Sequence, residues 1–257
     1  MSTTHPFTRT LLLGRGAFGR LAETHLGPHT ELVALDRSDF ATELDYAGAL
    51  AREVPRADAV ILAVPVRAIP DACRAVGPHV RTDRPTLIAD VASVKVQPAR
   101  WMEELLPDHA TVLATHPCFG PETAAELGTI EGQPVAFCPV RASDAPQRRL
   151  IASARAFLAD TLRLDVIDLT PDEHDRQMAH VQVLTHLVGH ACHEMRLPEL
   201  PTATLAYRYL LRMQHNTERD APALFEAIQH LNPHAAEARA RFRAAIDAVL
   251  SKAEPAG

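Results

Sequence analysis

The sequence contains no apolar run that approaches the ~18 residues required by a membrane-spanning helix. Residues 1–8 lack the basic segment and apolar core that mark a secretory signal. The four cysteines are scattered, without the Cys-x-x-Cys spacing typical of redox and zinc motifs. A formal net charge of −6 gives no reason to expect nucleic acid or an anionic membrane surface as a partner. These absences predict a cytoplasmic protein whose thiols stay reduced.

A length of 257 residues exceeds one typical domain, so two domains are expected. Up to residue 169, short apolar runs alternate with helical patterns. This alternation predicts an α/β fold with a Rossmann-type, doubly wound and mainly parallel sheet. After residue 169 the patterns are helical only, and Thr170-Pro171-Asp172-Glu173 has the residues that start a helix. The predicted domains are therefore a dinucleotide-binding domain over 1–169 and an all-helical domain over 170–257.

Individual elements follow from the apolar periodicity. Seven strands are predicted, over residues 10–13, 31–35, 57–64, 86–91, 110–115, 134–138 and 162–169. Helices are predicted over residues 66–76, 97–106, 143–158, 170–195, 203–217, 222–230 and 234–252. Because ligands of parallel sheets bind at the carboxyl ends of the strands, functional residues are expected there.

The first strand runs into Gly14-Arg-Gly16-Ala-Phe-Gly19, and a helical pattern follows at once. This order is the phosphate-binding fingerprint of dinucleotide folds. Gly14 permits the tight turn, Gly16 lets the backbone approach a pyrophosphate, and Gly19 lets the helix pack close to the strand. The second strand ends in Asp36, 22 residues after Gly14, where a carboxylate would meet the adenosine ribose hydroxyls. The remaining predicted cofactor-binding residues are Arg15, Ala17, Phe18, Arg37, Val64 and Pro65.

Two later strand ends carry polar clusters. Asp90-Val-Ala-Ser93-Val-Lys95 follows the fourth strand, and His116 follows the fifth. A histidine beside a nicotinamide is suited to take the proton of a substrate hydroxyl, and a serine hydroxyl can orient it. Alternatively, Ser93 caps the next helix and His116 only begins a turn. Lys95 is one of two lysines in the chain, which indicates either a required ammonium or a solvated helix start.

The first helix of the second domain presents Gln182, His186 and His190 on one face. His186 and His190 could hold a metal, but the glutamate of a His-Glu-x-x-His motif is missing, so no metal is predicted. A hydrolase built on Ser93, His116 and Asp90 is disfavoured because there is no Gly-x-Ser-x-Gly elbow.

These segments together resemble the prephenate and arogenate dehydrogenases of tyrosine biosynthesis. The matching pieces are the Gly14–Gly19 turn, Asp90-Val-Ala-Ser93-Val-Lys95, His116-Pro-Cys-Phe-Gly-Pro121, Glu173–His186 and Tyr207–Thr217. The resemblance implies NAD(P)-dependent oxidative decarboxylation of prephenate, with His116 and Ser93 as catalytic residues. It further implies substrate contacts from Gln182, His186, Arg212 and Lys95. The helical domain is implied to form a homodimer.

Two positions refine the expectation. The carboxylate of Asp36 favours NAD because it would repel the 2′-phosphate of NADP, although Arg37 keeps NADP possible. Arg212 favours a dianionic keto acid such as prephenate over zwitterionic arogenate. The alternatives are an arogenate or 4-amino-4-deoxyprephenate dehydrogenase and, in a different class, a non-enzymatic NAD-binding regulator.

Overall fold

The computed structural model describes residues 5–219 and 221–253. The chain divides into two compact units, the first ending at Asp172 and the second beginning at Glu173. The division falls just after the predicted boundary at residues 169 and 170.

The first unit is built on a seven-stranded sheet with the order β2-β1-β3-β4-β5-β6-β7. The strands are β1 (Arg9–Leu13), β2 (Glu31–Leu35), β3 (Ala59–Leu62), β4 (Leu87–Asp90), β5 (Thr111–Pro117), β6 (Pro134–Arg141) and β7 (Asp165–Asp168). β4 and nearly all of β5 are buried. Burial on both faces is the reason that these strands read as continuous apolar runs.

The strands are parallel except at one pair, β5 and β6, which run antiparallel. The mainly parallel α/β fold predicted from the sequence is thus confirmed, with β6 and β7 running opposite to the other five strands. The reversal arises because the connection from 118 to 133 stays at one edge of the sheet. Its short helix does not cross back to the opposite edge, as a parallel pair requires.

Helices of the first unit connect the strands. They are α1 (Ala17–Leu26), α2 (Glu43–Glu53), α3 (Ile69–Val76), α4 (Val96–Leu105), α5 (Pro121–Leu127) and α6 (Ala145–Ala156). Asp144 and Gln147 form a capping box that starts α6, each side chain accepting from the other's backbone N–H. Leu150 of α6 joins Leu87, Leu113 and Phe137 of the sheet in an apolar core cluster.

In the second unit, the regular elements of the described residues are helices. They are α7 (Pro171–Met178), α8 (Leu184–Met195), α9 (Leu205–Arg219), α10 (Pro222–Leu231) and α11 (Ala235–Ala253). A wider helical turn, Ala179–Val183, joins α7 to α8, so the predicted helix over 170–195 is not uniform. Gly189 lets α8 approach α9, since a Cβ there would lie 2.8 Å from the Met213 carbonyl oxygen. No helix among the described residues is long and apolar enough to cross a membrane.

Candidate functional site

The glycine turn after β1 is dictated partly by packing. Gly14 has φ +100°, and its N–H donates to the Leu35 carbonyl oxygen at 2.8 Å. A Cβ on Gly14 would overlap the Ala63 carbonyl oxygen, and one on Gly19 would overlap the Gly14 carbonyl oxygen. The first and third glycines of the motif are therefore required by the fold itself.

Gly16 is different from these two glycines. It is the N-cap residue of α1, with an ordinary φ of −61° and no side-chain cap. No heavy atom lies within 4 Å of the position that a Cβ on Gly16 would take. The space in front of this helix N-terminus is therefore open, and unpaired N–H groups at such an end suit a pyrophosphate.

Asp36 follows β2 and is bonded to the same turn. Its Oδ2 accepts the Arg15 N–H at 2.8 Å, and its Oδ1 accepts the Ser38 N–H at 3.0 Å and hydroxyl at 2.7 Å. These bonds, the one from Arg15 first, hold the pKa of the Asp36 carboxyl below its usual range. An ionised carboxylate therefore lies beside the glycine turn.

The arginines near Asp36 are engaged by carboxylates. Arg37 donates to both oxygens of Glu43, at 2.6 and 2.5 Å, and Arg15 Nε donates to Glu23 at 2.7 Å. Because Arg37 is already paired, a 2′-phosphate would have to compete with Glu43 for the guanidinium.

The other predicted cofactor-binding residues lie at the carboxyl ends of adjacent strands. Ala17 begins α1, and the Phe18 ring centroid lies 6.5 Å from that of Phe119. Val64 and Pro65 follow β3, which pairs with β1. The strand order β2-β1-β3 thus brings all of these positions to one edge of the sheet.

The ends of β4 and β5 are joined by a buried ion pair. Lys95 and Asp90 have side chains that are 0% exposed, and the ammonium pairs with Asp90 Oδ2. Lys95 Nζ also donates to the Thr115 carbonyl oxygen at 2.6 Å, and Asp90 Oδ2 accepts the Ala92 N–H at 2.9 Å. Burial raises the pKa of the Asp90 carboxyl, and the Lys95 ammonium opposes that shift.

This placement corrects two expectations about the segment. Lys95 is buried, so it is not a solvated helix start, and its ammonium contacts Asp90 and the Thr115 carbonyl oxygen. Lys95 rather than Ser93 is the N-cap residue of α4, which has no side-chain cap. The alternative in which Ser93 caps this helix is therefore wrong. Thr115 was missed as a partner of Lys95 because it belongs to the next strand, whereas Asp90 was already part of the predicted polar cluster.

His116 lies within β5 and pairs with Ala136 of β6, which corrects the alternative that it begins a turn. Its side chain is 3% exposed, and its Nδ1 lies 3.8 Å from the Cys118 sulfur. Burial raises the pKa of the Cys118 thiol, so this neighbour is neutral at pH 7. The register pairs Asp90 with Ala114, and Ser93 and His116 therefore reach the same sheet edge from neighbouring strands.

The predicted substrate residues of the second unit lie on different helices. Gln182 is in the wide turn Ala179–Val183, and His186 is on α8. Burial, with the charge of His190, lowers the pKa of His186 from 6.5 to about 4, so this imidazole is neutral at pH 7. Among the described residues, no group of three His, Cys, Asp or Glu could hold a metal ion. A metal held by His186 and His190 would therefore have no third ligand of these types among the described residues.

Arg212 lines a surface pocket formed by α9 and the loop before it. Arg208, His215 and Glu199 line the same pocket. Arg208, Arg212 and His215 share one helix face because they are four and three residues apart. Of these residues only Arg212 was predicted, although the spacing within the predicted helix is sufficient to identify Arg208 and His215. Gln182 and His186 are not among the residues that line this pocket.

Two family models match parts of the chain. The family model described as "Prephenate dehydrogenase, nucleotide-binding domain" matches residues 36–162. A model described as "TYRAAT1-like, C-terminal domain" matches residues 191–253.

Curated relatives match 73% to 94% of the chain. "Arogenate dehydrogenase 2, chloroplastic" of Arabidopsis thaliana is 29% identical, covering 93% of this chain and 68% of that protein. A probable arogenate/prephenate dehydrogenase of Methanocaldococcus jannaschii is 30% identical, covering 73% of this chain and 42% of that protein. The crystal structure of prephenate dehydrogenase from A. aeolicus with hydroxyphenyl propionate and NAD+ has a TM-score of 0.71. It is 17% identical and covers 98% of this chain and 93% of that one, which shows a shared fold.

Proposed function

We propose that this chain, which belongs to the prephenate/arogenate dehydrogenase family, catalyses the NAD-dependent oxidative decarboxylation of prephenate. One observation carries the proposal. A glycine turn with open space at Gly16 lies at the same sheet edge as a buried histidine, His116. Such an edge provides a dinucleotide site and a proton acceptor in one domain.

The residues present fit NAD. The Gly14–Gly19 turn and the N-terminus of α1 would hold the pyrophosphate, and Asp36 would accept a hydrogen bond from the adenosine ribose. The 2′-phosphate of NADP would instead face the carboxylates of Asp36 and Glu43. When bound, NAD supplies the hydride acceptor.

His116 is the proposed base, because a neutral imidazole can take the proton of the ring hydroxyl at neutral pH. Ser93 is the proposed hydrogen-bonding partner that orients this hydroxyl and the imidazole. As the hydride leaves the ring carbon that bears the hydroxyl, the ring carboxylate leaves as CO2 and its bonding electrons complete an aromatic ring. The phenolate oxygen then regains the proton held by His116, and the product is 4-hydroxyphenylpyruvate.

The pocket on α9 supports a substrate with a side-chain carboxylate. Arg212 and Arg208 provide guanidinium groups that pair with carboxylates, and His215 adds a further donor. Gln182 and His186 remain proposed substrate contacts from the same unit.

A second candidate substrate is arogenate, whose side chain is a zwitterion. Two observations favour it. Glu199 adds a carboxylate to the same pocket, where it could receive an ammonium group. The relatives in Arabidopsis thaliana are named arogenate dehydrogenases.

We place the enzyme in the cytoplasm as a homodimer formed through its second unit. The described cysteines are free thiols, and three of them are buried. Four large apolar side chains of α9 and α11 are 58–66% exposed, namely Leu205, Tyr209, Val249 and Leu250. Exposed apolar side chains of this size are typical of protein–protein interfaces.

The direct test offers prephenate and arogenate with NAD and with NADP, and follows reduced nicotinamide by absorbance. NADH formation with prephenate is the expected result. Turnover with arogenate alone would establish the second candidate, and Glu199→Gln should then lower kcat/KM for arogenate. No turnover in any of the four mixtures would refute the proposed reaction.

A further inference from the structure

The ion pair between Asp90 and Lys95 is unusual for a chain with only two lysines. Lys95 is one of the largest side chains that are fully buried, and Asp90 beside it is also inaccessible. Burying an ammonium and a carboxylate is costly, and an ion pair alone is often no more stable than an apolar replacement. The position of this pair at the sheet edge therefore calls for a reason other than stability.

The Lys95 ammonium joins two segments. The first is the loop 91–94, which Lys95 closes by pairing with Asp90 at its other end, and which carries Ser93. The second is β5, where the ammonium donates to the carbonyl of Thr115, in the peptide group just before His116. Thr115 adds its own hydroxyl, which donates to the Asp90 carbonyl oxygen at 2.5 Å.

A lysine suits this junction for geometric reasons. Its ammonium is compact and has three donors on a flexible stem, so it can bond a carboxylate and a carbonyl oxygen from different strands. The planar guanidinium of arginine is larger and directs its donors in a fixed fork. This difference explains why a chain rich in arginine keeps a lysine at residue 95.

We propose that Asp90 and Lys95 are positioning residues, which hold Ser93 and His116 together for the reaction proposed above. The pair acts through the loop and the strand, without a contact of its own to the substrate. Displacing a catalytic group by about 1 Å can cost roughly 100-fold in rate. We therefore expect Lys95→Met to lower kcat by about 10- to 100-fold. NAD affinity should be retained, because the glycine turn is on β1.

A second buried ion pair, at the amino ends of the strands of the same sheet, provides a control. Asp58 precedes β3 and pairs with Arg81 at 3.1 Å, with side chains 6% and 10% exposed. Arg81→Met removes one of the two arginines, Arg81 and Arg84, that pair with the buried Asp58 carboxylate, so it should destabilise the fold but leave kcat within about threefold of the wild type. A purely structural role for Lys95 predicts that both variants behave alike.

The double variant Asp90→Asn/Lys95→Met separates stability from positioning. It leaves no uncompensated buried charge, so the free energy of unfolding should recover, whereas kcat stays low because Thr115 has lost its donor. Hydrogen–deuterium exchange should show faster exchange over residues 91–96 and 115–118 in Lys95→Met, but not in Arg81→Met.

Three results would overturn the proposal: a kcat for Lys95→Met within about threefold of wild type, recovery of kcat in the double variant, or unchanged exchange over 115–118. Because the proposal rests on the proposed function, the wild type is assayed first. A wild type inactive on every cyclohexadienol refutes that function, while the exchange measurement still decides whether the pair holds the two segments.

Discussion

Replacing Gly16 by alanine should separate cofactor binding from folding. The backbone at Gly16 has φ −61° and ψ −169°, which alanine adopts without strain. No atom lies within 4 Å of the added methyl group, so it creates no overlap within the protein. Since alanine is a poorer N-cap than glycine, the free energy of unfolding should fall by no more than about 1 kcal/mol.

Cofactor affinity should respond much more strongly. The new methyl group would fill the space proposed for the pyrophosphate and displace it from the N–H groups of α1. Losing one or two charge-assisted hydrogen bonds of about 1.5–3 kcal/mol each corresponds to a Kd for NADH at least about tenfold higher. Fluorescence titration of NADH measures Kd, and urea denaturation of the unliganded protein measures stability.

Gly14→Ala is the matched control. Its positive φ and the overlap with the Ala63 carbonyl oxygen should cost about 3 kcal/mol or more of stability. The pyrophosphate is not placed at Gly16 if Gly16→Ala binds NADH as tightly as the wild type, and Gly16 is required by the fold if this variant unfolds as readily as Gly14→Ala.

Two further predictions concern charge. Asp36→Asn keeps the size of the side chain but removes its charge. The ratio of the Kd for NADPH to the Kd for NADH should therefore fall by about tenfold. Equal binding of both cofactors by the wild type would contradict this prediction. The pKa of His186 is lowered in the folded state, so its contribution to stability is complete above pH 6.5 and is lost as pH falls towards 4. With a folded-state pKa of about 4, the free energy of unfolding falls by about 2 kcal/mol at about pH 5. In urea denaturation, the free energy of unfolding of His186→Gln should fall correspondingly less between pH 8 and pH 5. An unchanged pH dependence in that variant would contradict the assignment.

Local patterns in the sequence were sufficient to predict most of the fold. The apolar runs around β1, β3 and β4 are buried on both faces, and the glycine spacing after β1 fixes the turn without reference to distant residues. The start of α7 at Pro171 likewise follows from helix-start chemistry in four consecutive residues.

Features that depend on tertiary structure could not be predicted from local sequence. The reversal of β6 depends on the path of the connection after His116, and its residues have the same apolar character as a parallel strand. The burial of Lys95 depends on Asp90 and on Thr115, which belongs to the next strand. The wide turn Ala179–Val183 interrupts an apolar stripe that reads as one continuous helix.

His116 is proposed to take a proton during NAD-dependent oxidation of a cyclohexadienol acid. The most direct test compares the wild type with His116→Asn under saturating NAD and prephenate, or arogenate if only that substrate is turned over. Asparagine can form a hydrogen bond but cannot accept the proton, so kcat should fall by about 100- to 10,000-fold with the Kd for NADH unchanged. A kcat within about threefold of the wild type would contradict the account.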